Sequence, residues 1–205
     1  GQIMAIAERL AKRIVSMKYE DLPSEAVRWA KISFIDTIGC AFAGIDEEGP
    51  QITQKVLTMG KSSGPSLIWG TARRAMPLDA AAINGISAHA LDYDDCNNSI
   101  AGHPSAALLP ASLALGEELG ASGRDVILAY VTGFETQGRI AHAVHLHHYE
   151  KGWHPTATLG IFGATAASAR LLGLDAQRTA TALSIACSLA SGIKANFGTM
   201  TKPLH

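Results

Sequence analysis

The stretch from Pro155 to Gly173 constrains the fold more than any other part of this chain. Residues 156–172 run between a proline and a glycine with no interior proline, and Gly160, Gly163, Ala164, Ala166, Ala167 and Ala169 dominate them. Proline suits the first turn of a helix and glycine the residue after its end, so the spacing predicts a helix over 156–172. A helix with so small a surface packs only if its neighbours come close. The same grammar follows directly. Asp175 caps a predicted helix over 176–191 that Gly192 ends, again with a small face of Ala180, Ala182, Ala186 and Ala190. Two such helices in succession point to a tight bundle.

The rest of the chain agrees. Ile3, Ile6, Ala7, Leu10, Ile14 and Met17 recur at helical spacing over 3–18. Ser24 reads as the cap of a second helix that stops near Gly44, and 50–59 as a third ending at Gly60. Ser62-Ser63-Gly64-Pro65 reads as a turn, and Ser66–Trp69 is the best extended segment. Pro77 starts a helix leading to Asp92, and 105–119 form another closed by Gly120. Ser122-Gly-Arg-Asp125 resembles a capping box opening a long helix through Val144. The expectation is one all-α domain, a multi-helix bundle over residues 1–205, with no repeat or linker.

Composition bounds the function. Of 205 residues, 47% are hydrophobic and only 17% charged, which allows a large core and excludes disorder. The net charge of −1, with Lys and Arg scattered, leaves no basic stripe for nucleic acid and no patch for a membrane surface. Apolar runs are broken too early to span a bilayer. Cys40, Cys96 and Cys187 are odd in number with no CxxC, which argues against a disulfide framework or structural zinc and fits a reducing, cytoplasmic setting. Cys40 and Cys187 read as inert core residues.

Three polar segments interrupt this apolar chain: His89-Ala-Leu-Asp-Tyr-Asp-Asp95 with Gly102-His103-Pro104-Ser105, then Gly152-Trp-His154-Pro-Thr156, then Gly198-Thr-Met-Thr-Lys202-Pro-Leu-His205. Any one of Asp92, Asp94 and Asp95 alone reads as a local cap; with His89 and His103 beside them, acid–base work or the orientation of a histidine is favoured. His103 and His154 each precede a proline at a helix entrance, where outward N–H groups favour anions. On spacing alone, Lys202 reads as a surface lysine. His142, His145, His147 and His148 tempt a zinc reading, but no HExxH, cysteine or carboxylate completes a set, so no metal is expected. The absence of GxSxG, P-loop and GxGxxG leaves hydrolytic-serine, nucleotide and dinucleotide chemistry without support.

The ordered segments HALDYDD, GHPSAALLPA, ASGRDVILAYVTGFE, GWHPTATLGIFGATAASARLLGLD and NFGTMTKPLH resemble the MmgE/PrpD family, of the 2-methylcitrate dehydratase type, over essentially the whole chain. The resemblance implies a cofactor-independent lyase or isomerase acting on a small di- or tricarboxylate by dehydration, decarboxylation or epimerisation. It implies catalytic positions at Asp92, His103, His154 and Lys202 and substrate-binding positions at Cys96, Thr199 and Thr201. It also implies a homodimer and an additional α/β lid domain, because family members are about twice this length. Cys96 stands where the family often has Thr, which replaces a good donor by a weak one. With the lid and a further family histidine beyond residue 205, the isolated chain is expected to turn over little or nothing. The competing expectation is a non-catalytic helical module for ligand binding or dimerisation.

Overall fold

A computed structural model describes residues 5–59 and 63–205; Ile3, Gly60 and Ser62, which carried expectations above, lie outside the described residues. The helices are α1 (Ile6–Ser16), α2 (Ser24–Gly44), α3 (Glu48–Leu57), α4 (Pro77–His89), α5 (Pro104–Leu119), α6 (Gly123–Glu150), α7 (Pro155–Leu171) and α8 (Ala176–Leu189). The expected all-α architecture holds. The extended piece at Ser66 is real but smaller than expected: β1 (Ser66–Leu67) pairs antiparallel with β2 (Arg74–Ala75), in register Ser66 with Ala75. No described helix is long and apolar enough to cross a membrane.

The small-faced helix sits at the centre, as its composition demanded. Helix α7 packs against α6 and α5, and the contacts leave no room for side chains. A Cβ on Gly133 of α6 would lie 2.6 Å from the Gly163 carbonyl oxygen of α7, and one on Gly160 would lie 2.9 Å from the Ala107 methyl of α5. At such separations backbones meet backbones, and a methyl has nowhere to go. Around this layer Trp69, Leu108, Leu109, Ala129, Tyr130 and Ala167 form one buried cluster. Pro110, inside α5, cannot donate to the Ala106 carbonyl, and Gly85 of α4 passes close by, its missing Cβ 3.0 Å from that oxygen.

Helix ends follow local chemistry with instructive exceptions. The capping box at Ser122 is present, with the hydroxyl accepting from Asp125 N and the Asp125 carboxylate accepting from Ser122 N. Asp175 caps α8 by accepting from Arg178 N at 2.8 Å. Ser24, expected to cap α2, is its first helical residue, and Pro23 precedes it without a side-chain cap. A proline fixes its own φ and starts the helix by geometry, which makes a hydroxyl cap dispensable. Cys187 is exposed rather than part of the core, because α8 turns that face outward, whereas Cys40 is buried as expected. Helix α6 continues to Glu150 past Val144, so the histidine-rich run is helical.

Candidate active site

Two helix entrances are built alike. His103 precedes α5 with φ −104 and ψ 92, and His154 precedes α7 with φ −96 and ψ 103. Neither imidazole caps its helix. Each following proline sets the first turn, which leaves each histidine extended and its ring free to turn elsewhere. The two entrances are braced to each other: Thr156 Oγ1 accepts from His103 N at 2.9 Å. Gly102 permits that approach, since a Cβ there would lie 2.8 Å from Thr156 N. A short antiparallel bridge of Trp153 with Ile193, and His154 N donating to Gly192 O at 3.1 Å, bring the last polar segment alongside.

The chain leaves α4 through a tight turn in which Asp92 takes φ +59, a left-handed conformation uncommon for a residue with a side chain. This ends the helix at His89, three residues earlier than the sequence pattern suggests, and sends three neighbouring carboxylates in three directions. Asp94 turns inward with a fully buried side chain and accepts from His89 Nδ1 at 3.0 and 3.1 Å. It also lies 3.3 Å from His103 Nδ1. Asp95 turns to the start of α5, where it accepts from Ser105 N at 3.2 Å and Ser105 Oγ at 2.6 Å; Tyr130 joins that hydroxyl at 2.6 Å. Asp92 stays half exposed, bonded to the buried Lys202 ammonium and 3.3 Å from His103 Nε2.

The four residues expected to be catalytic therefore come together. Asp92 touches both Lys202 and His103 directly. His154 joins through His89, whose ring lies edge-on to His103 at 4.7 Å and stacked on His154 at 5.8 Å. Lys202 is 6% exposed and so is not the surface lysine its spacing suggested. Of the expected substrate contacts, Cys96 Sγ lies 3.6 Å from His103 Nδ1, and Thr199 lines a hollow of about 350 Å³ together with His89, Asp92 and Lys202. Thr201 is exposed and lines none of the described hollows. A second hollow of about 230 Å³ shares His89 and Pro203 and is lined by Thr156 and His205. His103 and His154 line neither hollow but back onto both through His89.

Electrostatics separate the two like-built histidines. Burial works against a charge on His103, yet the bond to Asp94, with the charges of Asp94 and Asp92, raises its pKa above the ordinary 6.5. Burial also works against the Asp94 charge, but bonds from His103 and His89 hold it well below the carboxylate range. Among the described residues no carboxylate acts on His154. Burial, then the neighbouring His89, His205 and Lys202, push it down to about 3, so it is neutral at physiological pH. Its hydrogen can be placed. Asn196 Nδ2 lies 3.0 Å from His205 Nε2, which makes that nitrogen the acceptor and puts the His205 hydrogen on Nδ1. His205 Nδ1 then donates to His154 Nδ1 at 2.9 Å, leaving the His154 hydrogen on Nε2. One entrance thus holds a ring whose carboxylate neighbours favour its protonated form, and the other a neutral N–H donor.

Sequence reasoning assigned no role to His205, Asn196 or Phe197, whose ring stands edge-on to His154 at 4.9 Å. The only available signal was their place in the NFGTMTKPLH segment. In the histidine-rich end of α6, His148 bonds Thr158 Oγ1 at 2.6 Å and stacks on Trp153, His142 and His147 are exposed, and the His145 side chain lies outside the described residues. Among the described residues, donor atoms of His89, Asp92, Asp94 and His103 lie within 4.8 Å of one another, near enough to share a cation. Of these groups, Asp92 is bonded to the Lys202 ammonium.

Comparison with known proteins converges on the same segments. Residues 8–205 match the MmgE/PrpD N-terminal domain. The chain is 36% identical to a cis-aconitate decarboxylase of Homo sapiens, over 99% of this chain and 43% of that protein. It is 35% identical to the Mus musculus enzyme over 99% of this chain and 43% of the relative, and 31% identical to that of Aspergillus terreus over 89% and 39%. It spans less than half the length of these curated relatives. With the helical bundle in place and that match running through all three polar segments, the chain belongs to the MmgE/PrpD family.

Proposed function

We propose that the protein containing these residues is a lyase that decarboxylates a small unsaturated tricarboxylate of the cis-aconitate type. One observation carries the reading: Asp92 lies between the Lys202 ammonium and His103 Nε2, at a hollow of about 350 Å³. Two cationic donors on a half-exposed carboxylate, with a neutral N–H donor close by, suit a polyanion whose charge shifts during reaction. The activity of the relatives, cis-aconitate decarboxylases, favours decarboxylation over dehydration or epimerisation.

The chemistry balances with these groups alone. The bond to the methylene-borne carboxylate breaks and carbon dioxide leaves. The electron pair spreads over the three allylic carbons into a remaining carboxylate, and a proton adds at the far allylic carbon. One proton is consumed per turnover. His103 gives it from Nε2, because Asp94 and Asp92 raise that ring's affinity for a proton. Lys202 stabilises the charge on the remaining carboxylate, and the His154 Nε2–H adds a neutral donor without competing for the proton. Thr199 lines the same hollow as Asp92 and Lys202, and Cys96 lies against the His103 ring.

Exposed Leu91, Tyr93, Met200 and Leu204 lie in the polar segments that form the site, and exposed Phe197 adjoins the last of them. In our reading they are covered by sequence beyond these residues, a lid, so the 205-residue chain alone turns over little. Exposed Trp29, Ile32, Ile35 and Phe42 on α2 support the further reading that the protein is a homodimer. The test is incubation of the whole protein with cis-aconitate, with carbon dioxide release and a methylene-bearing dicarboxylate followed by NMR. The reading requires turnover without added metal or cofactor; a protein that binds the acid but releases no carbon dioxide would leave it a binding module.

A further inference from the structure

We propose that Asp94 and His89 are positioning residues of this site: Asp94 holds His103 as the proton donor with Nε2–H turned to Asp92, and His89 fixes the carboxylate that does so. The inference rests on the lyase reading for its kinetic test only; its titration test stands without it.

Ionised Asp94 has acceptors and no donor, so each nitrogen facing it must carry hydrogen. His89 Nδ1, 3.0 Å from the carboxylate, and His103 Nδ1, 3.3 Å from the carboxylate and 3.2 Å from the Asp94 carbonyl oxygen, are therefore both N–H. For His103 this places Nε2, 3.3 Å from Asp92, as the nitrogen that gives up or regains a proton. His89 Nε2, by contrast, is buried with no hydrogen-bond partner among the described residues. An unpaired buried nitrogen costs about 1–3 kcal/mol, and native sites retain such groups where another demand outweighs the loss. Here the demand is orientation. His89 is 2% exposed, held on the last turn of α4 between the rings of His103 and His154, and its Nδ1–H spans both Asp94 oxygens.

Every charged group facing His103 enters the balance. Asp92, Asp94 and the Cys96 thiol face it from the turn after α4, His89 from α4 itself, Lys202 from the C-terminal turn and His154 from the entrance of α7. Only the two aspartates favour the imidazolium, and Asp94 alone is buried. His89 draws part of that carboxylate's hydrogen-bonding capacity to itself. Removing Asp94 must lower the proton affinity of His103, and removing the His89 donor must raise it. Opposite signs from neighbouring residues are the signature of this arrangement.

The experiment uses the whole protein, its folding confirmed by circular dichroism, with Asp94→Asn, His89→Leu and His89→Gln. The His103 titration is read by NMR and kcat/KM on cis-aconitate is followed from pH 5 to 9. Asp94→Asn should move the His103 titration, and the alkaline limb of kcat/KM, down by about one pH unit or more, a roughly tenfold loss at pH 8. His89→Leu should move both upward. His89→Gln, whose amide also donates to Asp94, should leave them in place. A His103 titration that stays put in both Asp94→Asn and His89→Leu, with rates falling equally at all pH values, would overturn the inference. A wild-type protein that shows no decarboxylation refutes the lyase reading instead, and the NMR titrations still decide the positioning.

Discussion

The entrances of α5 and α7 share a backbone and oppose each other in charge. Each places a histidine extended before a proline, with a Ser or Thr in the next position. At the first, a buried carboxylate raises the ring's proton affinity; at the second, burial and then neighbouring histidines push the ring down to about 3 and leave it a neutral donor. A local motif therefore fixes where an imidazole stands, and distant contacts fix what it can do. The difference supplies a division of labour: one proton source and one uncharged hydrogen-bond donor within the same ring cluster.

Lys202 adds the second positive charge at the α5 side, and its removal should produce the largest effect. Lys202→Met in the whole protein should lower kcat by about 10²–10³-fold, the scale seen when a preorganised charge-stabilising donor is lost. A loss confined to KM would mean Lys202 binds substrate and transition state equally, and would break the proposed asymmetry between the two entrances.

Stability against pH should divide along the same line. The folded-state pKa of His154 is depressed to about 3, so the unfolded chain binds its proton first as pH falls. This ring thus costs stability below about pH 6.5, at up to about 1.4 kcal/mol per pH unit. His205, depressed in the same direction, adds to the trend. His103 is raised, so its contribution is complete below about 6.5 and fades as pH rises through its folded value. Urea unfolding at pH 7, 6, 5 and 4 should show the acid-side loss, and His154→Gln should flatten it. An unchanged slope in that variant would show that His154 is not held neutral.

A third helix entrance sharpens the contrast by lacking chemistry. At α6 the Ser122–Asp125 box satisfies the orphan amides that the histidine entrances leave to their prolines. Ser122→Ala should cost about 1 kcal/mol in unfolding free energy and leave kcat/KM unchanged. A rate effect there would mean that helix entrances act on the site through the bundle rather than through the groups they present.

The helical architecture was legible because its signals are local: proline starts, glycine stops and a small-residue face whose packing has one solution. Gly133 against Gly163 realises in contact what the composition of α7 required. The convergence of Asp92, His103, His154 and Lys202 came from family resemblance, and spacing alone misjudged Lys202. Its burial depends on a turn more than a hundred residues away, and no local pattern encodes that. The contrast between the two histidines was likewise hidden. Both read as equivalent because what distinguishes them, Asp94 against one and His205 against the other, is tertiary. Cys187 erred for the opposite reason: an apolar local pattern says a helix has a buried face but not which neighbours cover it.

The most direct measurement is the titration of the individual imidazoles by NMR in histidine-labelled protein. The account predicts that His103 stays protonated above the ordinary 6.5 while His154 remains a neutral Nε2–H tautomer throughout the folded pH range. A His154 that titrates near 6.5, or a His103 that titrates at or below it, would contradict the account.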